Sequence, residues 1–231
     1  MEAEFMKVWS DYVALRSPSL EKLNFYDQRS KFVLVLYARI NALCDETLLL
    51  VTNHRYASTQ ILMRSTLESY VELLCLIKDE KFLESIYAAE ADSEFKHLSF
   101  YSAENTYYRG SKEASQNELD ALKSEKSKVI NIYERFKKAG CEELYRTVYN
   151  MLCRFTHGNI TALASKNFEN NAIVISRKCS KSDLLFTLSS TINIALSSLI
   201  KVLEFFNVHE NTQETLLEMN LQINELYKKF A

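Results

Sequence analysis

The sequence predicts an all-α fold: a single helical-bundle domain of about seven to eight helices, with a short β-hairpin or ordered loop near 166–177. Three observations predict it. Apolar residues recur at helical spacing along almost the whole chain. The 231 residues include only three Gly and one Pro, where average usage would give roughly 16 and 12, so tight turns are scarce. Only around 166–177 does the pattern stop being helical.

A first helix is expected over 2–16, ending before Ser17-Pro18 because the residue before Pro disfavours helix; it reads as an appendage to the domain. Ser19 can cap a long second helix over about 20–51, with Tyr26, Val33, Tyr37, Ile40, Cys44, Thr47 and Val51 on one stripe. A third helix, about 55–78, is apolar nearly all round and is therefore expected to be central. Residues 80–108 and 116–138 read as two more, the latter stopped by Gly140 as a left-handed C′ residue. A sixth, about 141–157, ends at Gly158. An irregular insert spans about 159–181, where Asn170-Asn171 suits a turn and Ala172-Ile-Val-Ile175 a short strand. Helices over about 182–206 and 211–229, with Ser182 and Asn211 as capping candidates, close a domain that covers 1–231.

Composition excludes several function classes. Gly110, Gly140 and Gly158 stand 30 and 18 positions apart, so no G-x-G-x-x-G loop, Walker A loop or G-x-S-x-G elbow can be written. A net charge of −2 argues against broad DNA binding by bulk charge, while a local basic site is still open. The acidic, amphipathic start is no signal peptide, and the longest apolar run, Phe32–Ala38, falls far short of the roughly 20 residues of a membrane span. The five cysteines form no C-x-x-C pair and read as reduced packing residues. A cytoplasmic location without membrane contact, cofactor or metal is the expectation; neither His97 nor His209 has a second ligand at i+3 or i+4.

Two constellations could carry chemistry. Arg64 and Glu68 share a stripe with Val71 and Cys75 on the apolar third helix, so their charges need partners. A simple i,i+4 salt bridge is one reading. The order Arg-before-Glu is the less stabilising one, which favours a second reading in which both side chains also face another element. On the sixth helix, His157 shares a polar face with Arg146, Asn150, Cys153 and Arg154, opposite Leu144, Tyr145, Val148, Met151, Leu152 and Phe155. That face is either solvated, with His157 closing the helix end, or an anion site holding an acid/base group. His54, the basic set Lys123, Lys126, Lys128, Arg135, Lys137 and Lys138, and the Tyr107-Tyr108-Arg109 patch read as surface features.

Arg64-Ser-Thr-Leu-Glu68, then Tyr145-x3-Tyr149-x3-Cys153-x3-His157, resembles an uncharacterised bacterial helical family with an R-x3-E helix and a later Y-x3-S-x3-H helix. That family is similar to the HEPN superfamily, all-α proteins of toxin–antitoxin and phage-defence systems. The resemblance spans roughly 25–205. It implies a homodimer or an operon-encoded partner protein, and either a metal-independent RNase or a nucleotide- or RNA-binding effector. Cys153 stands where that family has Ser. The HEPN nuclease motif separates Arg and His by four to six residues; here two separate Arg154 from His157, and ten separate Arg146 from it. Metal-free RNA cleavage needs an acid/base group and cations for the charge developing on phosphorus. His157, Arg154, Arg64 and Glu68 are the catalytic candidates, and Arg146, Asn150 and Tyr149 the substrate-binding ones. A non-catalytic helical sensor or adaptor that works through a partner is the alternative.

Overall fold

The structure is a computed structural model that describes residues 1–21, 23–108, 112–175, 179–208 and 211–231 (the side chains of residues 166 and 211 aside). Helices α1 (Glu2–Leu20), α2 (Gln28–Thr52), α3 (Thr59–Lys78) and α4 (Phe82–Ser99) come first, then a 3-10 turn at Thr106–Tyr108. Next are α5 (Gln116–Glu125), a 3-10 turn (Lys126–Lys128), α6 (Ile132–Ala139), α7 (Glu142–Leu144), a π-helical segment (Tyr145–Tyr149) and α8 (Asn150–Thr156). Helix α9 (Ile160–Asn167), strands β1 (Phe168–Glu169) and β2 (Ala172–Ile173), and helices α10 (Lys181–Phe205) and α11 (Asn211–Phe230) complete the chain.

The all-α fold with a short hairpin is what the sequence predicts. Helix α3 is central, packing against α2, α4, α6, α8 and α10, while α10 also meets α1, α2 and α11. One apolar core runs through these helices, from Phe5 and Tyr12 through Ile40, Leu73 and Phe136 to Leu196 and Ile223. Helix α10 is long and apolar enough to cross a membrane by length and composition alone, although no long uninterrupted apolar run marks it. It is a core helix here, with 56% of its most apolar window buried inside the protein.

Several expected boundaries move, each for a local reason. Helix α1 runs through Pro18 to Leu20, since packing outweighs the modest pre-proline preference: Ser19 is buried and donates to the Leu15 carbonyl at 2.8 Å. Nor is α1 an appendage, because Phe5, Val8, Trp9 and Tyr12 all lie in the core. The Tyr12 hydroxyl donates to Asn41 Oδ1 at 2.6 Å, and Arg16 ties to Asp45 at 2.9 Å, fastening α1 to α2. Asp27, not Ser19, caps α2: it accepts from the Ser30 N–H at 2.6 Å, and Ser30 Oγ accepts from the Asp27 N–H at 3.0 Å.

Residues 116–138 form two helices rather than one, capped by Ser115 and Asn131, and Gly140 ends the second at φ +76° as expected. The insert is more regular than the sequence suggests: Asn159 accepts from the N–H groups of Thr161 and Ala162 and so starts α9. The hairpin turn is Asn170-Asn171, at φ +49° and +63°, both in the left-handed region that Asn tolerates and a two-residue hairpin requires. Ser180 rather than Ser182 caps α10; the Asn211 side chain lies outside the described residues.

Candidate functional site

The i,i+4 spacing on α3 puts Arg64 and Glu68 on one side of the helix. They form a 3.0 Å ion pair, with side chains 20% and 31% exposed. Tyr149 supplies the third partner. Its hydroxyl accepts from Arg64 Nη2 at 3.1 Å and donates to Glu68 Oε1 at 2.7 Å, closing a ring of three interactions. The Arg64 guanidinium also lies over the Tyr149 ring, 5.4 Å from its centroid.

Tyr149 itself is only 4% exposed, and burial is the first reason its phenol titrates well above the usual range; the Glu68 carboxylate adds to this and Arg64 opposes it. For Arg64, burial works against the charge, and the Tyr149 hydroxyl and Glu68 carboxylate more than offset it. Among the described residues Arg64 Nε is buried without a hydrogen-bond partner, so the guanidinium keeps one donor unused there. Of the two readings of Arg64 and Glu68, the structure therefore contains both: a salt bridge, and an engagement with a second element.

The π-helical segment sets Tyr149 in place. An extra residue in the turn rotates the rest of the helix, and the aromatic rings pack into the gap: Tyr145 stacks on Tyr149 with centroids 5.4 Å apart, and Phe136 of α6 lies 5.0 Å from Tyr149. The same rotation changes the expected faces of this helix. Leu144 and Met151, placed on the apolar half by uniform periodicity, are exposed, while Leu152 of the same half is buried as expected, and so is Tyr149. Tyr149 therefore reaches the site only through its hydroxyl, and its ring has no face to offer a substrate.

The remaining candidates stand outside this cluster. His157 is exposed at the C-terminal end of α8. Among the described residues its imidazole meets no hydrogen-bonding partner, and Glu68 orients Arg64 rather than His157. Arg154 and Asn150 are exposed on the same side, at steps of three and four. Arg146 is exposed beside Glu142 at 3.9 Å, its charge reinforced first by a hydrogen bond with Tyr133. Cys153, one turn before His157, is half-buried on the same helix. The molecule thus has a locked inner triad and an open outer face on one helix.

One step further along α3, Glu72 pairs with Arg135 of α6. Burial raises the Glu72 carboxyl pKa above its ordinary value, with Arg135 opposing. The sequence reading puts Arg135 on a solvated face, and the structure corrects it. A signal was available: Glu72 continues the Arg64–Glu68 series at i+4 on a mostly apolar helix and needs a cation. Lys138 is likewise held, by Asp79 at 2.5 Å. His54 contacts Tyr56 at 3.0 Å and His97 packs on Tyr108, while Arg109 and His209 lie outside the described residues. Among the described residues no group of three or more His, Cys, Asp or Glu is arranged to hold a metal ion. A cavity of about 430 Å³ lies between α4 and α5, but Glu84, Glu90, Glu94 and Glu125 line it; it shares no residue with the triad and its charge does not suit an anion.

Residues 30–173 match the model of a family of unknown function, DUF5677. The chain belongs to this family. No curated protein matches it, and no solved structure does. The DUF5677 stretch takes in most of α2, the whole Arg64–Glu68–Tyr149 triad, the α8 face and the hairpin, and leaves out α1, α10 and α11, so both constellations fall inside it.

Proposed function

We propose that this protein is a HEPN-like helical effector of a bacterial defence or toxin–antitoxin system, cytoplasmic and working as a pair of identical chains. Its activity in this proposal is metal-independent cleavage of RNA at the outer face of α8. One observation carries the reading: among the described residues His157 stands unengaged beside Arg154 and Asn150, while Tyr149, just before α8, is locked to Arg64 and Glu68. The open face is therefore held rigidly against the core, as a site needs.

His157 takes the proton from a ribose 2′-hydroxyl, whose oxygen bonds to phosphorus as the bond to the 5′-oxygen breaks; the leaving 5′-oxygen takes a proton from water, leaving a 2′,3′-cyclic phosphate, and His157 returns its own proton to solvent. Arg154 and Arg146 stabilise the charge on the phosphoryl oxygens, for which a guanidinium fork is suited, and Asn150 adds a neutral donor. Arg64, Glu68 and Tyr149 act as positioning residues. The need for a 2′-hydroxyl confines the reaction to RNA.

The test is incubation of the protein with total RNA in EDTA, read on a denaturing gel. Wild type is expected to cleave, and His157→Ala to lose cleavage by at least about 100-fold with its melting temperature unchanged. Equal cleavage by the variant would refute the assignment. The second reading, a non-catalytic module, is favoured by the way Arg64, Glu68 and Tyr149 engage one another; it predicts no cleavage by either protein.

A further inference from the structure

The segment after His157 forms an arm whose apolar side chains face outward. Ile160 and Leu163 on α9, and Phe168, Ile173 and Ile175 on the hairpin, are between 41% and 94% exposed. Their placement is ordered. Phe168 pairs directly with Ile173 across the two strands, so both project from one face, and Ile175 follows just past the end of β2. Glu169 and Ala172 form the opposite pair. The Phe168–Ile173 face of the hairpin is thus apolar. Strands of two residues make a hairpin that is marginal alone in water.

Taking about 150 Å² for a fully exposed large apolar side chain, the five present on the order of 500 Å² over α9 and the hairpin together. A standard interface takes about 800 Å² from each partner, a little over half of it apolar. One arm therefore carries about the apolar area that one side of a stable dimer needs. Electrostatics suit a second copy as the occupant: none of the five side chains is charged, the hairpin's Glu169 points the other way, and a net charge of −2 over 231 residues gives little mutual repulsion.

We infer that the α9–hairpin arm is the self-association surface of this protein, its apolar face packing on the same face of a second copy about a two-fold axis. This inference rests on the proposed pairing of chains and gives that pairing its surface. The arm begins three residues after His157, so the contact sets the two α8 faces beside one seam.

The experiment is light-scattering mass measurement over low to high micromolar concentration, on wild type, Ile173→Lys/Ile175→Lys and Ala172→Lys. Wild type and Ala172→Lys are expected at twice the 26.8 kDa chain mass, and the double variant at the single mass with unchanged helical circular dichroism. Monomeric wild type, or a double variant that still dimerises, overturns the inference. So does monomeric wild type that floats with phosphatidylcholine vesicles while the double variant does not, which would reassign the face to lipid. Mass and cleavage are separate readouts: a dimer without RNase activity refutes only the proposed activity, and a monomer that cleaves RNA refutes only the arm.

Discussion

The Tyr149 hydroxyl serves two charges at once, accepting from Arg64 and donating to Glu68. Hydrogen bonds to charged groups are the stronger class, and this one joins the π-helical segment to α3 across 81 positions of sequence. Tyr149→Phe keeps the ring in the core and removes only the oxygen. The Arg64–Glu68 pair survives that change, and both side chains keep partial access to water, so the expected loss is about 1–2 kcal/mol in urea unfolding. A loss near zero would show that the ring alone anchors the helix. A much larger loss would mean that the two charges depend on the hydroxyl for more than one contact.

Among the elements, the junction between α6 and α7 depends on the conformation of a single residue. Gly140 sits at φ +76°, where L side chains are strained, and a Cβ there would come within 3.0 Å of Lys78 Nζ. That ammonium donates to the Ala139 carbonyl at 2.5 Å, closing the open C-terminal end of α6 with a charge of the favourable sign. Gly140→Ala therefore strains the turn and displaces Lys78. The expected cost is about 1–2 kcal/mol, seen as a fall in Tm of roughly 2–8 °C at about 2–4 °C per kcal/mol. The π-helical segment matters equally here, because it sets which residues of the 142–156 stretch face the core.

For the molecule as a whole, the N-terminal helix belongs to the bundle. Phe5, Val8 and Tyr12 are fully buried, and the polar contacts of Tyr12 reach α2 and the Ala195 carbonyl of α10. Removing residues 1–21 would expose the core between α2, α10 and α11 and leave Asn41 without its buried donor. The expected outcome is a chain with no cooperative melt. A truncated protein that melts cooperatively near the wild-type temperature would restore the view of α1 as an appendage.

Features that depend on near neighbours along the chain were legible before any packing was known. Helical periodicity and the scarcity of Gly and Pro pointed to the all-α class; Gly140 and Asn170-Asn171 marked their turns because few residues accept positive φ; and the i,i+4 rule brought Arg64 to Glu68. Even locally, a uniform helical period could not foresee the extra residue of the π-helical turn, and it misplaced Leu144 and Met151. Tertiary packing alone completes the Arg64–Glu68 pair with Tyr149, answers Glu72 with Arg135 and draws α1 into the core. Each of these joins residues distant in sequence, and such contacts depend on how helices cross and which faces meet, a choice made by the packing of the whole core.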